Sequence, residues 1–209
     1  MDAVKPVSQG VQVGIDLGQR HDPTAICVCE VERRDYALNE RGRPTGGEYH
    51  YVARYLERLS LGTPYPDVVD RLTGIYHKLT TSKHNVRIWM DATGLGQPVV
   101  DLARKAGLPV TPVYLTGTDK AVEEGMELRL GKSLLVSRLQ ILLQAEQIHL
   151  PKTPESEALI QELLNYEIRV TDSANATFGA FKTGTHDDLA TALGLACWQE
   201  PQPFSWEWM

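Results

Sequence analysis

The sequence predicts an α/β fold: a mixed sheet of about five strands, antiparallel at its opening and parallel thereafter, flanked by helices. Three observations carry that reading. The first 60 residues hold three β-rich runs divided by breaker-rich turns. Residues 66–115 then alternate helical spacing with β-rich runs, as parallel strands joined by crossover helices do. Two apolar runs, 11–17 and 86–91, also reach an aspartate at or near their ends that glycine closely follows: Asp16 with Gly18, Asp91 with Gly94 and Gly96.

Size and composition set the frame. A chain of 209 residues can bury a sizeable core, and its apolar and charged fractions are ordinary for a globular protein. No apolar run approaches the ~20 residues that span a bilayer, so no membrane association is expected. The N-terminus lacks the apolar core of a secretory signal. Residues 1–10 read as a disordered leader, 11–200 as one domain and 201–209 as an aromatic tail. The net charge of −6 argues against coating nucleic acid through bulk positive charge, though it leaves room for a local basic groove. Cys27, Cys29 and Cys197 lack a zinc-like spacing and read as core residues of a reducing compartment.

In order, residues 11–17 form the first strand and 18–23 a turn dense in breakers. Residues 24–33 are rich in β-formers and give a second strand. Residues 34–47 are polar and glycine-rich, a flexible hairpin loop, after which 48–59 resume alternation on Tyr49, Tyr51, Ala53 and Tyr55. Helical spacing of Val68, Val69, Leu72, Ile75, Tyr76 and Leu79 places a helix over 66–79. A strand at 86–91, a helix over 94–107 closed by Gly107 and a strand at 108–115 follow. Residues 116–131, charged and glycine-bearing, read as a mobile loop. Two helices cover 133–147, with Leu134, Leu135, Leu139, Leu142 and Leu143 inward, and 153–165, with Thr153 as N-cap. Residues 166–182 read as a β-hairpin, and 186–198 as a helix too apolar to lie on the surface.

The acidic residues carry the chemistry. In open α/β sheets, ligands sit beyond the carboxyl ends of strands, so Asp16 and Asp91 would share one crevice if their strands are neighbours. Singly, each Asp could equally cap a turn. A third cluster, Asp187-Asp188, opens the apolar last helix, where acidic residues also suit the helix dipole. Successive helical residues diverge by ~100°, so the two cannot face one point equally. Asp188 shares the buried face with Ala192 and Leu195 and is the favoured ligand; Asp187 reads as the cap or as an outer partner. Carboxylates without thiolates or paired histidines make a hard-oxygen set suited to Mg²⁺ or Mn²⁺. Two such ions ~4 Å apart can activate a water and stabilise the leaving oxygen of a phosphodiester.

Gly14-Ile-Asp-Leu-Gly18 with Asp22-Pro-Thr-Ala25, Asp91-Ala-Thr-Gly94 with Gly96, and His186-Asp-Asp-Leu-Ala190 together resemble the nuclease domain of the large terminase subunit of tailed bacteriophages. The resemblance runs from about Val11 to Trp198 with the motifs in order. It implies an RNase H-like sheet with an extra β-hairpin, and Asp16, Asp91 and Asp188 (or Asp187) as ligands of two Mg²⁺ or Mn²⁺ ions. The implied activity is endonucleolytic cleavage of double-stranded DNA concatemers during viral genome packaging. It further implies work in the cytoplasm of an infected bacterial host, alongside an ATPase domain in the same or another chain, a small terminase subunit and a portal. The family's hairpin near DNA would be 166–182, with Lys182 a candidate phosphate contact. A complete large terminase carries an ATPase domain ahead of the nuclease, and none is present here, so an excised domain or a free-standing nuclease is expected.

The remaining motifs are weaker. Gly125 to Ser133 ends in Gly-Lys-Ser, but its spacing is one residue too long for a P-loop and no apolar strand precedes it. Arg33, Arg34, Arg41 and Arg43 could bind a DNA backbone; interleaved Glu32, Asp35 and Glu40 make a solvated hairpin the plainer reading. His21 and His186 adjoin the proposed ligands, as proton-transfer groups or simply as turn residues. Three rival functions share the pattern: a Holliday-junction-resolvase-like nuclease, an actin- or sugar-kinase-like nucleotide-binding domain and a non-catalytic packaging module. Against the kinase-like reading, the turn after Asp16 is Gln19-Arg-His-Asp22, without the usual Ser/Thr-rich phosphate turn.

Overall fold

Alternation along the first strand sets up the whole architecture. In a computed structural model, which describes residues 5–20, 22–42, 44–82, 84–94, 96–165, 167–170, 176–179 and 187–201, strand β1 spans Val7–Asp16. Val11, Val13 and Ile15 point to one face of the sheet, while Gln12 and Gly14 point to the other. β1 therefore begins inside the segment assigned to a leader; a register slip between Ser8 and Gly10 lets pairing continue past the point where apolar alternation stops.

β2 (Ala25–Arg34) pairs antiparallel with β1. The loop that follows carries a two-residue ladder, β3 (Ala37–Leu38) with β4 (Pro44–Thr45), and β5 (Glu48–Arg58) returns antiparallel along β2. Helix α1 (Tyr65–Thr81) leads to β6 (Val86–Asp91), and α2 (Gly96–Lys105) leads to β7 (Val110–Thr116). β6 is parallel to both β1 and β7.

The segment expected to be a mobile loop is instead an antiparallel hairpin, β8 (Ala121–Glu124) and β9 (Glu127–Gly131), whose second strand joins β7 in parallel. β8 is exposed and acidic, which hid it. Leu128 and Leu130 of β9 alternate into the core around exposed Arg129.

Then come α3 (Lys132–Gln144), β10 (Ile148–His149), α4 (Pro154–Leu164), the paired strands β11 (Glu167–Val170) and β12 (Ala176–Gly179), and α5 (Asp188–Ala196). The Thr153 side chain caps α4 as expected, accepting from Ser156 N–H at 3.2 Å. Leu143 departs from expectation: it is 38% exposed, while Leu135, Leu139 and Leu142 of α3 are buried.

The main sheet thus has eight strands, in the order β10-β5-β2-β1-β6-β7-β9-β8, rather than about five. α1 and α2 cover one face over Val13, Ile26, Ile88 and Met90. α3, α4 and α5 cover the other over Cys27, Cys29, Tyr51 and Leu128. All three cysteines lie in this second core, as expected. Among the described residues no helix is long and apolar enough to cross a membrane.

Candidate active site

The position of Asp16 follows from strand order. β1 is fourth of eight, and it neighbours β6 in parallel with Ile15 opposite Met90. One residue further, Asp16 and Asp91 leave adjacent strand ends side by side. Two glycines make the surroundings possible. At Gly14 a Cβ would lie 2.0 Å from the Ala192 carbonyl oxygen, so α5 rests directly on the β1 backbone. Asp188 is one turn before Ala192, and the contact aims the start of α5 at the end of β1. At Gly18 a Cβ would lie 2.1 Å from the Asp22 carbonyl oxygen. The tight turn there is tied by Thr24, whose hydroxyl accepts from Gly18 N–H at 3.1 Å and donates to Gly18 O at 2.8 Å.

Asp16, Asp91, Asp187 and Asp188 all line one open cleft of about 750 Å³, together with Gln19, Arg20, Asp22, Tyr65, Thr93, Lys132 and Thr191. Asp91 is fixed by Thr93, whose backbone N–H and hydroxyl both donate to Asp91 Oδ1, at 2.8 and 2.5 Å. Thr93 Oγ1 in turn accepts from Leu115 N–H on β7 at 2.9 Å. Lys132, first residue of α3, donates from Nζ to Asp187 Oδ2 at 3.0 Å. Asp188 is 2% exposed, and its Oδ2 stands 3.4 Å from Arg58 Nε. Asp187 occupies the N-cap position of α5 but makes no side-chain cap bond, so of the two roles expected for it, cap or outer partner, the first is not seen. Glu162 of α4 accepts from Ala190 N–H in that first turn, at 2.8 Å.

Electrostatics single out the floor of the cleft. Burial pushes the Asp16 carboxyl well above the usual carboxylate range, with Asp91, Asp188 and Asp187 adding to the rise and Lys132 opposing it. Burial also raises Asp91, against the two Thr93 hydrogen bonds and Lys132, with Asp187 contributing. Carboxylates held in this way favour a cation between them. Among the described residues no three acidic, histidine or cysteine side chains converge tightly enough to grip an ion as they stand. The four carboxylates line a common cleft instead of meeting at a point.

The other sequence candidates lie elsewhere. Arg33 and Arg34 are at the far end of β2: Arg33 pairs with Val7, whereas Ala25 pairs with Asp16. Eight residues of strand put them about 26 Å from the cleft end. Arg34 is engaged by Glu32 at 2.7 Å, and Arg33 donates to Gly46 O at 2.6 Å while covering the Tyr49 ring. Arg41 is exposed in the β3–β4 connection. Arg43, Lys182, His21 and His186 lie outside the described residues. Conversely, Thr93, Lys132, Asp22, Arg58 and Glu162 were not singled out as site residues from sequence, although Asp22 and Thr93 fell within quoted motifs. The sequence signal at Lys132 is confined to the Gly-Lys-Ser that fails as a P-loop.

A mixed, helix-flanked sheet with carboxylates at the ends of two central parallel strands and at the start of the last core helix defines an RNase H-like domain with an acidic cleft. The chain belongs to the terminase RNaseH-like domain family, whose model matches residues 13–200. Among solved structures, it is similar to the large terminase nuclease from thermophilic phage G20c with bound magnesium. That match has 23% identity and a TM-score of 0.64, over 95% of this chain and 85% of that one. It is also similar to the Thermus phage P74-26 large terminase nuclease domain, with 21% identity and a TM-score of 0.59 over 89% and 77% of the two chains. A third is the HK97 bacteriophage large terminase, with 14% identity and a TM-score of 0.55, where the match covers 93% of this chain and 40% of that one. A comparison with curated proteins gave no match.

Proposed function

We propose that this domain is a divalent-metal-dependent endonuclease that cuts double-stranded DNA concatemers during viral genome packaging, by two-metal-ion hydrolysis of the phosphodiester. The observation that carries this reading is the gathering of Asp16, Asp91, Asp187 and Asp188 around one cleft, with Asp16 made reluctant to ionise by burial and the neighbouring carboxylates, and Asp91 by burial and Asp187. An all-oxygen donor set of this kind fits Mg²⁺ or Mn²⁺. The G20c nuclease, similar in fold, is described with magnesium and also with cobalt.

Asp16 and Asp91 would be ligands, with Asp188 or Asp187 completing the set. Ions bound there would activate a water and stabilise the leaving oxygen. Thr93 holds Asp91 in one rotamer, so little ordering is left for the moment of binding. Lys132 offsets the negative charge and, with Arg20 at the cleft lining, would meet a DNA phosphate. By family, the domain would work in an infected bacterial host's cytoplasm with an ATPase domain in the same or another chain, a small subunit and a portal.

Plasmid digestion tests the reading. Supercoiled DNA should become linear with Mn²⁺ or Mg²⁺ and stay intact in EDTA. Asp16→Ala and Asp91→Ala should reduce cleavage to background with an unchanged circular-dichroism spectrum. Full activity in folded Asp91→Ala protein would overturn it.

A further inference from the structure

The start of α5 is capped from outside the helix. An N-cap side chain ordinarily accepts from the N–H of the second or third helical residue. Asp187 holds the N-cap position but does neither, and its carboxylate turns to Lys132 in the cleft. The third amide, Ala190 N–H, donates instead to Glu162 Oε2 of α4. Glu162 is 6% exposed, and its other oxygen, Oε1, accepts from Arg58 at the end of β5, 104 residues away in sequence. Arg58 Nε in turn faces Asp188 Oδ2 at 3.4 Å. Strand β5, helix α4 and helix α5 therefore meet on the turn that carries both acidic residues.

We propose that Arg58 and Glu162 are positioning residues of the active site: Glu162 caps α5 in place of Asp187, which leaves the Asp187 carboxylate for the cleft, and Arg58 sets the orientation of Asp188. Such positioning presupposes the metal-holding role of the cleft. The residue types suit the task. A carboxylate can serve the helix amide and the guanidinium through separate oxygens. A guanidinium presents donors in a rigid fork and can face two carboxylates at once, which a lysine ammonium cannot do at fixed angles. Without Glu162 the buried Ala190 N–H needs another acceptor. Asp187, at the N-cap three residues earlier, is the position whose side chain ordinarily takes that bond, and using it would draw that carboxylate away from Lys132 and the cleft.

Three variants test this: Arg58→Lys, Glu162→Ala and Glu162→Gln, with Asp16→Ala as the control for the nuclease function itself. Glu162→Gln keeps a carbonyl oxygen for Ala190 N–H, so it should behave better than Glu162→Ala. Mn²⁺ affinity is read by calorimetry, and the metal concentration for half-maximal plasmid cleavage is read in parallel. Arg58→Lys and Glu162→Ala should each weaken both by about tenfold to a hundredfold, with the rate at saturating metal near wild type. Should Glu162→Ala fail to fold, Arg58→Lys and Glu162→Gln carry the test. Unchanged Mn²⁺ affinity in folded Arg58→Lys protein, even with lowered thermal stability, overturns the positioning role. A wild type that binds no Mn²⁺, or an Asp16→Ala protein that still cleaves, overturns the nuclease reading instead.

Discussion

Ionising Asp16 adds a charge next to Asp91, Asp188 and Asp187 in a site where burial already favours the neutral acid. A carboxyl whose folded pKa is raised above its unfolded value contributes stability at pH below the unfolded value, and that contribution is lost as pH rises through the folded one. The same holds for Asp91. In EDTA, the domain should therefore lose melting temperature through this pair as pH climbs out of the ordinary carboxylate range. If the pair holds metal as proposed, Mn²⁺ should reverse the effect by binding the ionised carboxylates; at a hundredfold its Kd a ligand adds about 2.7 kcal/mol. Melting curves from about pH 4 to about pH 8 should show a Mn²⁺ gain that grows with pH, and a gain independent of pH would contradict the assignment. Lys132 works in the opposite direction, since it lowers both carboxyls. Lys132→Met should move the rising limb of the pH–rate profile to higher pH, and an unmoved limb would remove Lys132 from the site.

At the scale of elements, the placement of α5 depends on Gly14. Gly14→Ala puts a methyl against the Ala192 carbonyl and the Ala196 amide. Overpacking of this kind costs about 1–3 kcal/mol, and relief by sliding α5 would carry Asp187 and Asp188 away from Asp16. The variant should lose melting temperature and cleavage together. Gly74→Ala in α1, where nothing lies within 4 Å, is the contrast: it should gain about 0.4–1 kcal/mol with activity intact. Elements also explain what could be read from sequence. Asp16 and Asp91 stood out because an apolar run reaching a carboxylate near its end is visible without knowing any neighbour. β9 left only the faint signal of Leu128 and Leu130 on either side of Arg129, among acidic residues typical of an exposed edge. Lys132 reaches the cleft only because β9 pairs with β7 and hands the chain to α3 there. Glu162 and Arg58 meet through packing of α4 against β5, a contact that no local spacing encodes.

For the whole molecule, the sheet presents its acidic cleft at one end and Arg33 and Arg34 at the other. The net charge is −6, so DNA held at the cleft, as proposed, would depend on local cations and bound metal rather than on an overall attractive field. The antiparallel-then-parallel order was legible from the run of strands and helices, whereas the strand count was not, because β8 and β10 are too polar or too short to signal themselves. Metal held at the carboxyl ends of β1 and β6 is the centre of the proposed function. The most direct measurement is anomalous diffraction from crystals soaked in Mn²⁺. Density is expected between Asp16 and Asp91, extending to Asp187 or Asp188, and should be lost in Asp16→Ala crystals. A cleft without anomalous density, or density undiminished in Asp16→Ala, would contradict it.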